Sequence, residues 1–130
     1  MSKLFKILPL FLCLVPAAFA GNTYPDISQA ELKQAIASKT VVLLDANGSD
    51  SYRSGHIPGA IDFAADQEHL ASLLPADKHA LVVAYCGGEK CTAYKAAAAA
   101  AVKLGYVNVR HFAPGISGWK QSGEKTEPGS

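Results

Sequence analysis

Leu81-Val82-Val83-Ala84-Tyr85-Cys86-Gly87-Gly88-Glu89-Lys90-Cys91 is the stretch on which the fold turns. From Ala80 to Tyr85 the residues are apolar without alternation, the pattern of a strand buried on both faces. Cys86 ends the strand and Gly87–Cys91 makes a tight loop. A helix is expected from Thr92 to Leu104, with Gly105 as its terminator. Six consecutive alanines, Ala96–Ala101, favour that helix and let it sit close to a sheet. In open α/β sheets, sites lie beyond the carboxyl ends of the strands, which is where Cys86 falls. Two glycines allow the loop to turn its N–H groups inward, and the helix N-terminus behind them favours an anion. The same field favours a thiolate: an ordinary thiol titrates near about pH 8.5, and such surroundings can bring it below about 7. Lys90 adds positive charge and Glu89 opposes it. The bland alternative is an inert cysteine acting as a small hydrophobe. It explains poorly a cysteine set between a strand end and two glycines. A metal centre needs more ligands than Cys86 and Cys91 supply, and His56 and His111 are loose candidates, so none is expected.

Working outward, Val41–Leu44 is a second unbroken apolar run closed by Asp45. Ser28 and Glu31 have capping-box spacing, and Leu32, Ala35 and Ile36 follow at helical intervals, predicting a helix to about Ser38. Ser51–Ser54 suggests one helical turn. Pro58 keeps Gly55–Ala60 out of regular helix. Ile61–Phe63 reads as a short strand, Gln67–Leu74 as a helix ending before Pro75, Val107–Phe112 as a strand and Pro114–Lys120 as a last helix carrying Trp119. Gln121–Ser130 is polar and expected to fray. Strands alternating with helices argue for an α/β fold with a mostly parallel sheet.

Three features together resemble the rhodanese (thiosulfate sulfurtransferase-like) family. They are Val41–Asp45 followed by Gly55-His56-Ile57-Pro58-Gly59-Ala60, the strand Leu81–Tyr85 running into Cys86 and its loop, and Leu104-Gly105-Tyr106 followed by Val107–Phe112 and Gly115-Ile116-Ser117-Gly118-Trp119. They span residues 27 to 120. The resemblance implies an open, mostly parallel five-stranded sheet with helices on both faces. It implies that Cys86 is the nucleophile, taking sulfur from a donor such as thiosulfate as a persulfide and passing it to cyanide or a thiol. Gly87, Gly88, Glu89, Lys90, Cys91 and Thr92 would then hold the substrate, with no cofactor. The chemistry suits a soft thiolate whose sulfur is held by backbone N–H groups. In the family an Arg usually follows the strand-ending Asp by two residues and pairs with a Glu; here those positions are Asn47 and Ser51, and no charge is stranded. This reads as a structural substitution with little bearing on activity. The loop also lacks an Arg, leaving Lys90 as its cation.

His56 is expected to hold its turn, Asp45 to orient neighbouring loops or cap the next turn, Trp119 to pack on the core, and Tyr94 and Lys95 to line the loop's rim. Competing readings are a Cys-based phosphatase or arsenate reductase, a thiol–disulfide redox protein using Cys86 and Cys91, and a non-enzymatic sulfur carrier or binding module. The first needs an Arg to clamp its oxyanion, and there is none from Cys86 to Lys103.

The chain's 130 residues make one domain's length, and a hydrophobic share of 49% with 18% charged residues excludes a disordered chain. Twelve Lys and Arg against eleven Asp and Glu leave no basic footprint for nucleic acid. The N-terminus has the form of a secretory signal: Lys3 and Lys6, an apolar run Ile7–Val15 broken by Pro9, then Ala18-Phe19-Ala20. The run is short of the roughly 20 residues that span a bilayer. Leu12 before Cys13 does not suit lipid attachment, which needs a small residue there. Residues 1–20 are thus expected to be removed, leaving Gly21–Ser130 as a single domain, periplasmic or secreted, without a membrane anchor. Cys86 and Cys91 would be its only cysteines, in a compartment where thiols can pair. Cys91 is then either a small residue at the helix start or a resolving thiol, with a thiol-bearing protein as partner. N-terminal sequencing of protein recovered from its source cell should begin at Gly21 or close by. Recovery of chains with Met1 intact from the cytoplasm would contradict export.

Overall fold

Four parallel strands form one sheet in the order β2-β1-β3-β4. They are β1 (Val41–Asp45), β2 (Ile61–Asp62), β3 (Leu81–Tyr85) and β4 (Val109–His111), in a computed structural model that describes residues 23–129. The expected signal segment lies outside the described residues. β1 and β3 run side by side in full register, from Val41 opposite Leu81 to Asp45 opposite Tyr85, so both apolar runs end at one sheet edge. The fifth strand that the resemblance implies is reduced to a single parallel bridge between Asp26 and His111. There Ile27 N–H donates to His111 O and His111 N–H to Pro25 O. Pro25 has no N–H of its own, so it cannot donate to extend the ladder.

Helices cover both faces. On one, α1 (Gln29–Ala37), α2 (Ser49–Ser54) and α6 (Gly115–Gln121) close a core that includes Leu32, Leu43, Tyr52, Val83, Tyr85, Phe112 and Trp119. On the other, α4 (Leu70–Leu73) and α5 (Tyr94–Lys103), with α3 (Phe63–Asp66) preceding them in the chain, enclose Leu44, Val82, Ala84, Val109 and Tyr106. Ala97, Ala98 and Ala101 are fully buried, so the alanine run brings α5 close to the sheet as its composition suggested. Ser28 Oγ accepts from Glu31 N–H and caps α1 as expected.

Two readings of local structure need correction. The helix expected over 67–74 is instead α3, a 3₁₀ turn at Gln67–His69, and α4. Asp62 Oδ1 caps Ala65 N–H and starts the helix early, and Asp66 and His69 then sit near φ −109° and −107° with ψ close to zero, breaking it twice. The tail beyond α6, expected to fray, is tied down. His56 and Glu127 exchange two backbone hydrogen bonds, Gly129 N–H donates to Arg53 O, and the Trp119 indole donates to Lys125 O at 2.8 Å. The last helix therefore leads into a strap over the Gly55–Ala60 turn. Elsewhere the differences are boundaries: α5 starts at Tyr94, two residues after Thr92, and β4 starts at Val109, since Val107 is exposed.

Candidate active site

Cys86 leaves β3 at the sheet edge where β1 also ends. The backbone around it is fixed by α6. Ile116 N–H donates to Cys86 O at 2.9 Å and Ser117 N–H to Gly87 O at 3.0 Å. In a trans peptide the N–H points opposite to the preceding carbonyl. With both carbonyls turned onto α6, the N–H groups of Gly87 and Gly88 turn the other way, into the loop. The amides of Gly87, Gly88, Glu89 and Lys90 meet no protein acceptor among the described residues, while Cys91 N–H closes on Gly88 O. The tight turn expected of Gly-Gly thus has a further cause that lies outside the loop, the hydrogen bonds from α6.

Gly115 makes that arrangement possible. It sits at φ +61°, and a Cβ there would lie 2.5 Å from Cys86 O, 2.7 Å from Gly88 N and 2.8 Å from Gly87 C. Only a residue without a side chain lets α6 approach the loop closely enough to bind its carbonyls.

Asp45 and Tyr85 anchor the site from below. The buried Tyr85 hydroxyl donates to Asp45 Oδ2 at 2.6 Å and accepts from Ile57 N–H at 3.0 Å. The other carboxylate oxygen, Oδ1, takes Asn47 N–H at 2.8 Å. Asp45 thus both orients a neighbouring loop and caps the next turn. Burial, and then the Asp45 charge and hydrogen bond, push the Tyr85 hydroxyl far above the ordinary tyrosine range, so it remains a donor. The Gly55–Ala60 turn is further held by Tyr52 Oη donating to Ala60 O, and by His56. The His56 ring stacks on Tyr52 at 3.7 Å and pairs its Nδ1 with Tyr52 O, which is the turn-holding role expected of it.

Cys86 is 1% exposed and Cys91 half-buried; their Cα atoms are 6.2 Å apart and their sulfurs form a disulfide. Glu89, Lys90 and Thr92 are exposed on the loop's outer side, and Gly87 and Gly88 are half-buried. The six expected residues follow Cys86 directly along the chain, and the oxidised loop keeps the Cys86 sulfur from solvent. Tyr94 is not a rim residue. Its ring stacks on His111 at 3.4 Å, edge-on to Tyr24. Burial holds the His111 imidazole below its ordinary pKa, against the opposing pull of Asp26. Trp119 packs edge-on to Phe112, as expected of a core residue. Asn47 is the position that sequence reasoning undervalued. Its Oδ1 comes within 3.7 Å of the place a Gly87 Cβ would occupy, and its buried Nδ2 has no partner among the described residues. The one signal available was its place two residues beyond a strand-ending Asp.

Residues 28–122 match the family model of the rhodanese-like domain. The chain belongs to the rhodanese-like family. A rhodanese-like domain from Anabaena sp., solved in solution, superposes with a TM-score of 0.64 at 24% identity, covering 82% of this chain and 80% of that one. A human single-domain sulfurtransferase gives 0.61 at 21% identity over 76% and 97% of the two chains. A thiosulfate sulfurtransferase from Pseudomonas aeruginosa gives 0.66 at 25% identity, over 82% of this chain but 21% of that one. In sequence, the chain is 30% identical to an HTH-type transcriptional regulator of Mycobacterium tuberculosis over 111 residues. It spans 48% of that regulator's length. The rhodanese-like fold thus recurs in single-domain proteins and as one part of longer ones.

Gly115→Ala should move the loop and cost about 2–4 kcal/mol, from positive-φ strain together with overpacking. Gly123 also has positive φ (+82°), but a methyl group there would meet nothing within 4 Å, so Gly123→Ala should cost clearly less. Urea unfolding of both variants checks the pair. Equal midpoints would contradict the close approach of α6.

Proposed function

We propose that this rhodanese-like domain is a sulfurtransferase working through a Cys86 persulfide. The observation that carries the reading is the loop after β3, where α6 binds the Cys86 and Gly87 carbonyls and the next four N–H groups after a strand-end cysteine have no protein acceptor among the described residues. Donors so arranged stabilise a thiolate, and then the terminal sulfur of a persulfide, in the manner of an oxyanion hole. The reduced Cys86 thiolate attacks the outer sulfur of thiosulfate, the S–S bond of the donor breaks, and sulfite leaves with its electron pair. Cyanide, or a thiolate, then attacks the terminal sulfur and restores the Cys86 thiolate. Cysteine suits this role because its thiolate is soft and available near neutral pH. Lys90, exposed on the loop, offers the anionic donor a positive charge on approach. The signal-like segment at residues 1–20 supports a periplasmic or secreted setting, in which the Cys86–Cys91 disulfide is the resting form and reduction precedes the first turnover.

The test is thiocyanate formation from thiosulfate and cyanide by protein reduced beforehand. Cys86→Ser should lower the rate by at least about 10³-fold, the scale on which removing a covalent nucleophile acts. A hydroxyl cannot form a persulfide. Undiminished transfer by Cys86→Ser would overturn the assignment.

A further inference from the structure

We infer that Cys91 is the built-in resolving thiol of the Cys86 persulfide, so that the domain releases sulfane sulfur as hydrosulfide and closes the Cys86–Cys91 disulfide in the same step. The inference rests on the sulfur-transfer reading above and adds a second activity, the reduction of a sulfane sulfur.

Two observations carry it. The first is which sulfur Cys91 reaches. The loop from Gly87 to Lys90 holds the Cys91 sulfur on the Cys86 sulfur itself. In a persulfide that atom is the inner sulfur. Attack there breaks the bond to the outer sulfur and expels it; attack on the outer sulfur would instead move the sulfane atom to Cys91. The step balances: the Cys86 persulfide anion and the Cys91 thiol become the disulfide and hydrosulfide, with the thiol proton leaving on the product. The sulfane sulfur gains two electrons, and the two cysteine sulfurs supply them.

The second observation is exposure. Cys86 is 1% exposed in the oxidised form, whereas Cys91 is half-buried on the loop's open side. An incoming thiolate therefore meets the Cys91 sulfur first. Cys86 then leaves as the thiolate, beside the loop N–H groups that favour it, and a better leaving group speeds exchange. A second thiol of the same reductant resolves the mixed disulfide at Cys91 and frees both cysteines. The electrons for each turnover thus come from a dithiol, small or protein-borne, and a dithiol–disulfide exchange must precede every round. Lys90 and Glu89, both exposed beside Cys91, form no ion pair among the described residues and lie where such a partner would dock.

The experiment is a single turnover. Purified protein is reduced, freed of reductant without air, and given one equivalent of thiosulfate. Sulfite and sulfide are measured, and peptides containing Cys86 and Cys91 are weighed after alkylation. The expected result is sulfite and sulfide in equal amounts, with Cys86 and Cys91 joined and resistant to alkylation. Cys91→Ser should release sulfite without sulfide and keep Cys86 heavier by one sulfur atom. Wild-type protein that releases sulfite, keeps the extra sulfur on Cys86 and leaves Cys91 open to alkylation would overturn the inference while sparing the sulfur-transfer reading. Neither sulfite nor any change in either peptide would overturn both.

Discussion

The Tyr85 hydroxyl joins three separate parts of the chain. It donates to Asp45 at the end of β1, sits itself at the end of β3, and receives the N–H of Ile57 in the Gly55–Ala60 turn. All three groups are buried, so none can exchange its partner for water. Losing the hydroxyl would leave a carboxylate oxygen and an amide unpaired, at about 1–3 kcal/mol for each such group and more for a charged one. That cost fixes the ends of the two central strands relative to each other and to the turn beside them. Cys86 is the next residue after Tyr85, so the direction in which it leaves the sheet is inherited from this contact.

From there the polarity of the loop follows from backbone geometry. β3 delivers Cys86 to the sheet edge, Gly115 lets α6 come within hydrogen-bonding distance, and α6 takes the carbonyls of Cys86 and Gly87. Their peptide N–H groups are left to face the other way. On the proposed reading, it is these backbone donors, rather than a side-chain cation, that would favour a sulfur anion at Cys86. The same tight loop returns Cys91 to Cys86, the contact on which the proposed coupling of sulfur transfer to thiol redox chemistry rests.

Much of this was legible in the sequence because the deciding signals are local. Two unbroken apolar runs marked central strands of a doubly covered sheet, Ser28 marked a helix start, and Gly-Gly after a strand-end cysteine marked the loop. The rest depends on distant partners. Nothing in Lys125–Gly129 announces a strap, because its hold is made mostly by backbone atoms and by the Trp119 indole, and its one side-chain hydrogen bond, Gly59 N–H donating to the Glu127 carboxylate, has a partner 68 residues away. Tyr85 carries no mark of which face it takes until Asp45 is placed beside it by strand register. Spacing alone left the Cys86–Cys91 pair open, since a disulfide requires a Cα separation that only the folded loop sets. The fifth strand shrank to one bridge for a reason visible in hindsight, the proline at position 25.

The central claim is that folding makes Cys86 a thiolate poised for attack. The direct measurement is the rate of alkylation of fully reduced protein as a function of pH, followed separately for Cys86 and Cys91 by peptide mass. The account predicts that Cys86 reaches half its maximal rate at about pH 7 or below, while an unperturbed thiol does so near about 8.5. A Cys86 that titrates at about 8.5 or above would mean that the loop amides do not act on its sulfur, and would contradict the account.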